Sequence, residues 1–353
     1  LDERIQRITR NTVEVITIED LRKLLEEEER PRAYIGVEPS GMFHIGWLIW
    51  AWKLVDLVDA GFETMVLLAN WHAYINDKLG GKMENIRICS EYIKECLEAV
   101  GVPGSVEYIY GDELVGRMKY WERYLKICKK LTLARIKRAI TIMGRKQDEA
   151  EADFSKLLYP AMQVDDIFEL NVHLALGGMD QRRAHVLQRE VAGKMGLRRV
   201  VALHTPLLPS LRGLERMESL SPEEVMLEAK MSKSKPEGCI FITDSPEDIK
   251  RKISKAYCPQ KVVDNNPLLQ IAKYIIFPKI NRIKVERPKK YGGDITYESY
   301  IDMEKDYASG KLHPADLKTA ISEALIQILH PVRKYFEKKP EHLEAMLKIT
   351  ITR

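Results

Sequence analysis

Apolar and polar positions along this chain fall into blocks whose period changes several times. Residues 1–30 are charged and amphipathic, predicting one or two helices that end before Pro31 and pack as a lid on the first strand. The run Ala33 to Val37 then reads as a strand, Pro39, Ser40 and Gly41 as a turn, and Trp47 to Ala60 as a helix closed by Gly61. The next run, TMVLLAN, is too apolar for a half-exposed strand and fits a parallel strand buried on both faces. Strand, helix, strand in that order predicts the start of a doubly wound sheet, whose ligands lie beyond the carboxyl ends of the strands. A helix over 82–100, ended by Gly101, and a short strand within VPGSVEYIYGDEL continue the alternation.

Residues 119–144 then interrupt it with one or two helices, so about 115–150 read as an insertion. A helix with Pro160 near its start, a buried strand in NVHLALGG, a glycine turn into a helix at GGMDQRRAHVLQRE and a fifth strand in LRRVVALHT follow. From Ser245 the pattern is mainly helical. The fold expected is α/β: a doubly wound, Rossmann-like parallel-sheet domain over 33–239 with a helical insertion, preceded by a helical arm over 1–32 and followed by a mainly helical domain over 240–353.

Composition narrows this little. With 353 residues, 45% hydrophobic and 31% charged, the chain is globular and large enough for two domains. Lys and Arg number 56 against 52 Asp and Glu, an excess that suits a nucleic-acid partner only if it is gathered on one face. The five cysteines, at 89, 96, 128, 239 and 258, form no C-x-x-C pair and read as reduced, buried thiols of a cytoplasmic protein without a zinc site. No apolar run reaches 18 residues and the N-terminal stretch is charged, so neither a membrane span nor a signal peptide is expected.

Candidate chemistry gathers at the predicted strand ends. The turn at Gly41 and Gly46 has the shape of an anion site, with free N–H groups at a helix start and His44 placed to donate to a phosphate oxygen. It carries neither the dinucleotide fingerprint nor a P-loop, and on this evidence His44 serves equally as a packed helix-start residue. Asn70, His72, Tyr74 and Asn76 fall at the next strand end. Tyr159, Gln163 and Asp166 rise along one helix face, a selection that suits a pocket holding a zwitterion or a hydroxyl; Asp165, beside Asp166, faces another way. Asp180 and Gln181 sit at a second cap.

Three lysines, Lys230, Lys233 and Lys235, crowd a Ser- and Gly-rich loop, about 226–238, either as solvated surface or as a mobile loop that brings ammonium groups to a leaving pyrophosphate. Tyr120, Trp121, Tyr124, Ile127 and Leu131 recur at helical spacing and favour packing or a subunit interface. Lys129, Lys130, Arg135, Lys137 and Arg138 face solvent or nucleic acid. Lys284, Arg287, Lys289, Lys290 and Tyr291 have the basic and aromatic mix that single-stranded nucleic acid favours, as plain surfaces also do.

In combination, HIGW at 44–47, GGMDQ at 177–181 and KMSKS at 230–234 resemble the signatures of the class I aminoacyl-tRNA synthetases. From Tyr34 to about Phe336 the chain resembles the tyrosyl-tRNA synthetases of archaeal and eukaryotic type. Trp47 stands where the H-x-G-H pattern has its second histidine, and offers one N–H donor in its place. The resemblance implies activation of tyrosine by ATP, with Mg2+ on the ATP phosphates and no metal site made by protein alone, and transfer to the terminal adenosine of tRNA(Tyr). It implies His44, Trp47, Lys230 and Lys233 as catalytic residues. Glu38, His44, Gly46, Asp180, Lys230, Met231, Ser232, Lys233 and Ser234 would surround ATP.

Tyr34 and Asp166 would bind the tyrosine hydroxyl, Tyr159, Gln163 and Gln181 its ammonium group, with Gly36 and His72 lining the pocket. Tyr291, His313, Pro314 and Asp316 would meet the anticodon, and the insertion around 119–144 would form a homodimer interface. Tryptophan activation is the alternative within the class. A synthetase-like protein that binds RNA or a nucleotide but has lost aminoacylation is the alternative outside it.

Overall fold

The computed structural model describes residues 1–140, 153–213 and 229–351. They cluster into two compact units, one of Leu1–Gly41, Trp50–Pro206 and Glu341–Arg353, the other of Met42–Ile49 and Leu207–Pro340. The far part of the insertion, beyond 140, and the first part of the lysine loop, before 229, lie outside the described residues.

In chain order the first unit holds α1 (Asp2–Thr9), β1 (Glu14–Ile16), α2 (Ile18–Glu27) and β2 (Arg32–Val37), then α3 (Leu48–Asp59), β3 (Glu63–Leu68), α4 (Asn70–Ile75), α5 (Met83–Ala99) and β4 (Glu107–Tyr110). After these come α6 (Gly111–Val115), α7 (Met118–Cys128), α8 (Leu133–Ala139), α9 (Ser155–Glu169), β5 (Leu174–Gly178), α10 (Arg182–Met195) and β6 (Val201–Thr205). The strands form one sheet in the order β1-β6-β5-β2-β3-β4, parallel except for β1. The doubly wound sheet predicted from the sequence is therefore present. Successive strands run outward from β2 to β4, and the chain then returns to add β5 and β6 on the other side of β2. The strand order reverses between β2 and β5, the point at which folds of this kind hold their ligands. Met65 to Leu68 of β3 are all fully buried, as their unbroken apolar run required.

Three local readings are corrected. The N-terminal stretch is not wholly helical: Glu14–Ile16 is a strand, paired antiparallel with β6 through Glu14 and His204. It covers the far edge of the sheet and not the first strand, and three residues were too few for a period-two signal. Pro160 lies inside α9, which begins at Ser155, so the carbonyl one turn earlier has no backbone N–H to meet it. The segment from Asn70 that was read only as a strand end is the short helix α4.

The last helix, Glu341–Ile351, belongs to this same unit, although the sequence reading grouped it with 240–340. It packs on α5 by burying Met346, and its His342 meets Glu95 at 2.9 Å. Lys53 is buried on α3 and donates to the carbonyls of Ile8 and Arg7 and to Asp56, which fastens the end of α1.

In the second unit, α11 (Pro246–Ser254) starts with the expected cap, Ser245 accepting from the Asp248 N–H. A helical stretch over 267–280 leads to a hairpin of β7 (Ile283–Val285) and β8 (Ile295–Tyr297), then α12 (Tyr300–Ser309) and α13 (Pro314–Lys338). α13 packs along α11 and β7. Among the described residues no helix is long and apolar enough to cross a membrane. All five cysteines are free; Cys128 and Cys258 are only half-buried, short of the burial expected.

Candidate active site

The first group of predicted residues assembles in the sheet unit. Tyr34 is carried by β2 and is buried; an added Cβ on Gly36 would lie 3.6 Å from its ring, so glycine leaves the ring open on that side. α4 is pinned to α6 by Asp112, which accepts from the Asn70 amide at 2.8 Å and from the Trp71 indole at 2.7 Å. A Cβ at Gly111 would come within 2.4 Å of Asn70 Oδ1, so a side chain there would displace that amide. So placed, His72 meets α9: its ring stands edge-on to Tyr159 at 4.7 Å, and its Nε2 is 3.2 Å from Asp166 Oδ2.

Asp166 also accepts from the Tyr120 hydroxyl at 2.9 Å. Burial pushes the His72 imidazole down to about 4 and lifts the Asp166 carboxyl well above its ordinary range. Both shifts work against an ion pair between them. Tyr34 is held in its phenol form by burial first and by the field of Asp166 second. Asp165 does face elsewhere, as expected: it pairs with Arg123, which also holds Glu169 at 2.5 Å.

At the other end of the α9 face, Gln163 Nε2 donates to Gln181 Oε1 at 3.0 Å, while Gln163 Oε1 is buried with no hydrogen-bond partner among the described residues. An unpaired buried acceptor costs about 1–3 kcal/mol, so this atom is prepared for a donor that arrives with a ligand. Gly177 is required here because a Cβ would lie 2.8 Å from that of Gln181. Tyr159 donates to Glu38 at 2.6 Å, and the Asn76 amide donates to the same carboxylate at 3.0 Å. Glu38, expected beside ATP, is thus joined to the polar face of α9. Asp180 lies in the same short turn as Gln181. The set has an end suited to a phenolic hydroxyl and an end suited to an ammonium group.

The second group assembles in the other unit. His44 caps the turn Ile45–Trp47, its Nδ1 accepting from the Gly46 N–H at 3.2 Å. The ring proton is therefore on Nε2. Burial, then the charges of Lys233 and Lys230, push this imidazole well below its ordinary value and keep it a neutral donor. A Cβ at Gly46 would press on the His44 ring at 3.0 Å. Backbone bonds fasten the lysine segment at both ends. Met231 donates to Leu208 at 2.7 Å, Ser210 to Ala229 at 2.8 Å, Ile45 to Ile240 at 2.9 Å and Ile242 to Phe43 at 3.1 Å. Between these clamps Ser232 and Ser234 share a hydrogen bond, and Lys233 Nζ lies over the Trp47 ring at 3.7 Å from its centre. Trp47 meets Lys233 through its ring face.

The third group lies on the hairpin and α13. Tyr291 is exposed in the hairpin turn, and His313 caps α13 by accepting from Ala315, with Pro314 and Asp316 in the first turn. Arg287 ties the turn to this helix start, donating to Gly293 at 2.6 Å and to Lys311 at 3.0 Å. Tyr120 is buried in the core, as its stripe predicts, and its hydroxyl also joins the site. Its place in an apolar helical stripe suggested packing or an interface, and no linear signal joins it to Asp166.

This arrangement defines a class, and the comparisons agree. The chain matches the family described as tRNA synthetases class I (W and Y) over residues 26–330. It belongs to that family. Among its relatives, the tyrosine–tRNA ligase of Saccharolobus solfataricus is 53% identical over 99% of this chain and 97% of that one. The tyrosyl-tRNA synthetase from Aeropyrum pernix is 46% identical and covers 99% of this chain and 98% of that one, with a TM-score of 0.87. That from Pyrococcus horikoshii, solved with L-tyrosine, is 44% identical over 98% of this chain and 99% of its own, with a TM-score of 0.92. Within the family the chain falls with the archaeal tyrosine–tRNA ligases, as the motifs implied.

Proposed function

We infer that the chain activates L-tyrosine with ATP and passes the tyrosyl group to the 3′-terminal adenosine of tRNA(Tyr). The observation that carries the choice of amino acid is the polar face of α9, with buried Asp166 one turn from the unpaired oxygen of Gln163. A substrate phenol donates to Asp166 beside Tyr34 and His72. The ammonium group donates to Gln163 near Gln181 and Tyr159. The carboxylate oxygen of tyrosine attacks the α-phosphorus of ATP; the bond from that phosphorus to the bridging oxygen breaks, and pyrophosphate leaves. The terminal ribose hydroxyl then attacks the tyrosyl carbonyl and AMP leaves. No residue of the protein needs to form a covalent bond: position and electrostatics supply the rate.

His44 donates to a phosphate oxygen from Nε2, and Lys230 and Lys233 meet the charge that grows on the pentavalent phosphate. Gly46, Met231, Ser232 and Ser234 complete the phosphate surroundings in this reading, and the family resemblance assigns Glu38 and Asp180 to the nucleotide. The groups gathered around His44 are cations and hydroxyls, which suit phosphate and not a hard cation, so Mg2+ arrives on the nucleotide.

Tyr291, His313, Pro314 and Asp316 form the anticodon face, supported by the tie through Arg287. A homodimer through the insertion is supported by Met118, Leu125 and Leu133, which are large, apolar and exposed on α7 and α8, whereas Tyr120, Tyr124 and Ile127 are spent on the chain's own core. The five free thiols suit a cytoplasmic setting. The functional division into an N-terminal arm, a catalytic domain over 33–239 and an anticodon domain over 240–353 belongs to the same proposal.

ATP–pyrophosphate exchange driven by tyrosine, and then by tryptophan, tests the reading. Exchange with tyrosine alone is expected. Exchange with tryptophan would move the chain to the other branch, and none with either would mean that aminoacylation has been lost.

A further inference from the structure

The family pattern H-x-G-H ends here in Trp47, and the structure gives that indole a definite neighbour, the ammonium of Lys233 at 3.7 Å from the ring centre. The indole has two further ring neighbours. Phe43, fully buried, stands edge-on to it at 5.2 Å, and the His44 ring lies 5.5 Å away at a tilt of 48°. Phe43 and Ile45 are in turn fixed to Ile242 and Ile240 by backbone hydrogen bonds. Trp47 is itself only partly buried, which argues against a ring present just to fill the core.

We propose that Trp47 is a positioning residue for Lys233, its indole face seating the ammonium group for use at the ATP phosphates. This rests on the tyrosine-activation reading and adds to it a role for the ring face. The choice of an aromatic seat has a physical reason. A lysine ends a flexible four-carbon stem and must be held if it is to act at one place. A carboxylate would hold it but would cancel the charge that the developing phosphate needs. An indole face attracts the cation by its quadrupole and contributes no net charge. The same charge disfavours protonation of His44, so one seated lysine keeps both neighbours in working form.

The test is a double-mutant cycle in ATP–pyrophosphate exchange at saturating tyrosine, using Trp47→Leu, Trp47→Phe, Lys233→Met and Trp47→Leu with Lys233→Met. Trp47→Leu is expected to lower kcat about tenfold, the scale of one lost cation–π contact. KM for tyrosine should stay unchanged, which also reports an intact fold. Trp47→Phe, which keeps an aromatic face, should recover to within about threefold of wild type. In the Lys233→Met background, Trp47→Leu should have almost no further effect.

Equal losses from Trp47→Leu in both backgrounds would overturn the proposal, as would a phenylalanine variant no better than leucine. Absence of exchange in the wild type would overturn the activation reading itself, a result distinct from exchange that is present but additive.

Discussion

The amino-acid site and the phosphate site handle charge in opposite ways. Around Asp166 burial pushes the ionisable groups toward their uncharged forms: His72 down to about 4, the Asp166 carboxyl up, and the Tyr34 and Tyr159 phenols up. Around His44 the charges are kept, with Lys233 resting on an aromatic face. The difference follows from the two tasks. A site that must refuse near-copies of its ligand works by leaving buried polar groups unpaired when the wrong ligand enters, and that penalty is large only where water cannot repair it. A site that must meet charge appearing during reaction needs cations placed where that charge appears.

The sharpest way to break this contrast is at Asp166. Asp166→Ala should lower the preference for tyrosine over phenylalanine from about 10⁴–10⁵ to below about 10² in exchange assays. A preference that survives would remove the phenol from this end of the pocket. Next in size, Lys230→Met should lower kcat about 10²-fold while equilibrium binding of tyrosine, followed by calorimetry, stays as it was; weakened tyrosine binding would mean that the two sites are not separable in function.

His72 gives a test by pH. Its folded value, about 4, lies below the ordinary 6.5. The unfolded chain therefore takes up the proton first, so the stability contributed is full above about 6.5 and drains as the pH falls through about 4. His72→Gln should lose about 2–3 kcal/mol less than wild type between pH 7 and pH 4.5 in denaturant titrations. Equal losses would show that the buried imidazole is not neutral. The smallest effect is expected for Tyr120→Phe, which removes one donor from Asp166 and should raise KM for tyrosine about tenfold with kcat little changed.

The parallel strands were legible because each was a short apolar run bounded by glycine or a turn, and α9's polar face because Tyr159, Gln163 and Asp166 share one helical stripe. The motif residues His44, Lys230 and Lys233 were legible as candidates, and the resemblance joined them. What spacing could not show was anything made by tertiary contact. Tyr120 looks like a core residue because most of it is one; only its hydroxyl, meeting a carboxylate on another helix, belongs to the site. β1 is three residues long and exists because an edge of the sheet was there to pair with. Trp47 was readable as a departure from a pattern, but whether its N–H or its face is used depends on where Lys233 comes to rest.

The most direct test of the division between choosing and stabilising is the preference for tyrosine over phenylalanine measured on Lys233→Met. The rate should fall about 10²-fold, and the ratio of kcat/KM for the two amino acids should stay within about twofold of wild type. A ratio that collapses together with the rate would contradict the account, because the lysine would then be part of the choice and not only of the chemistry.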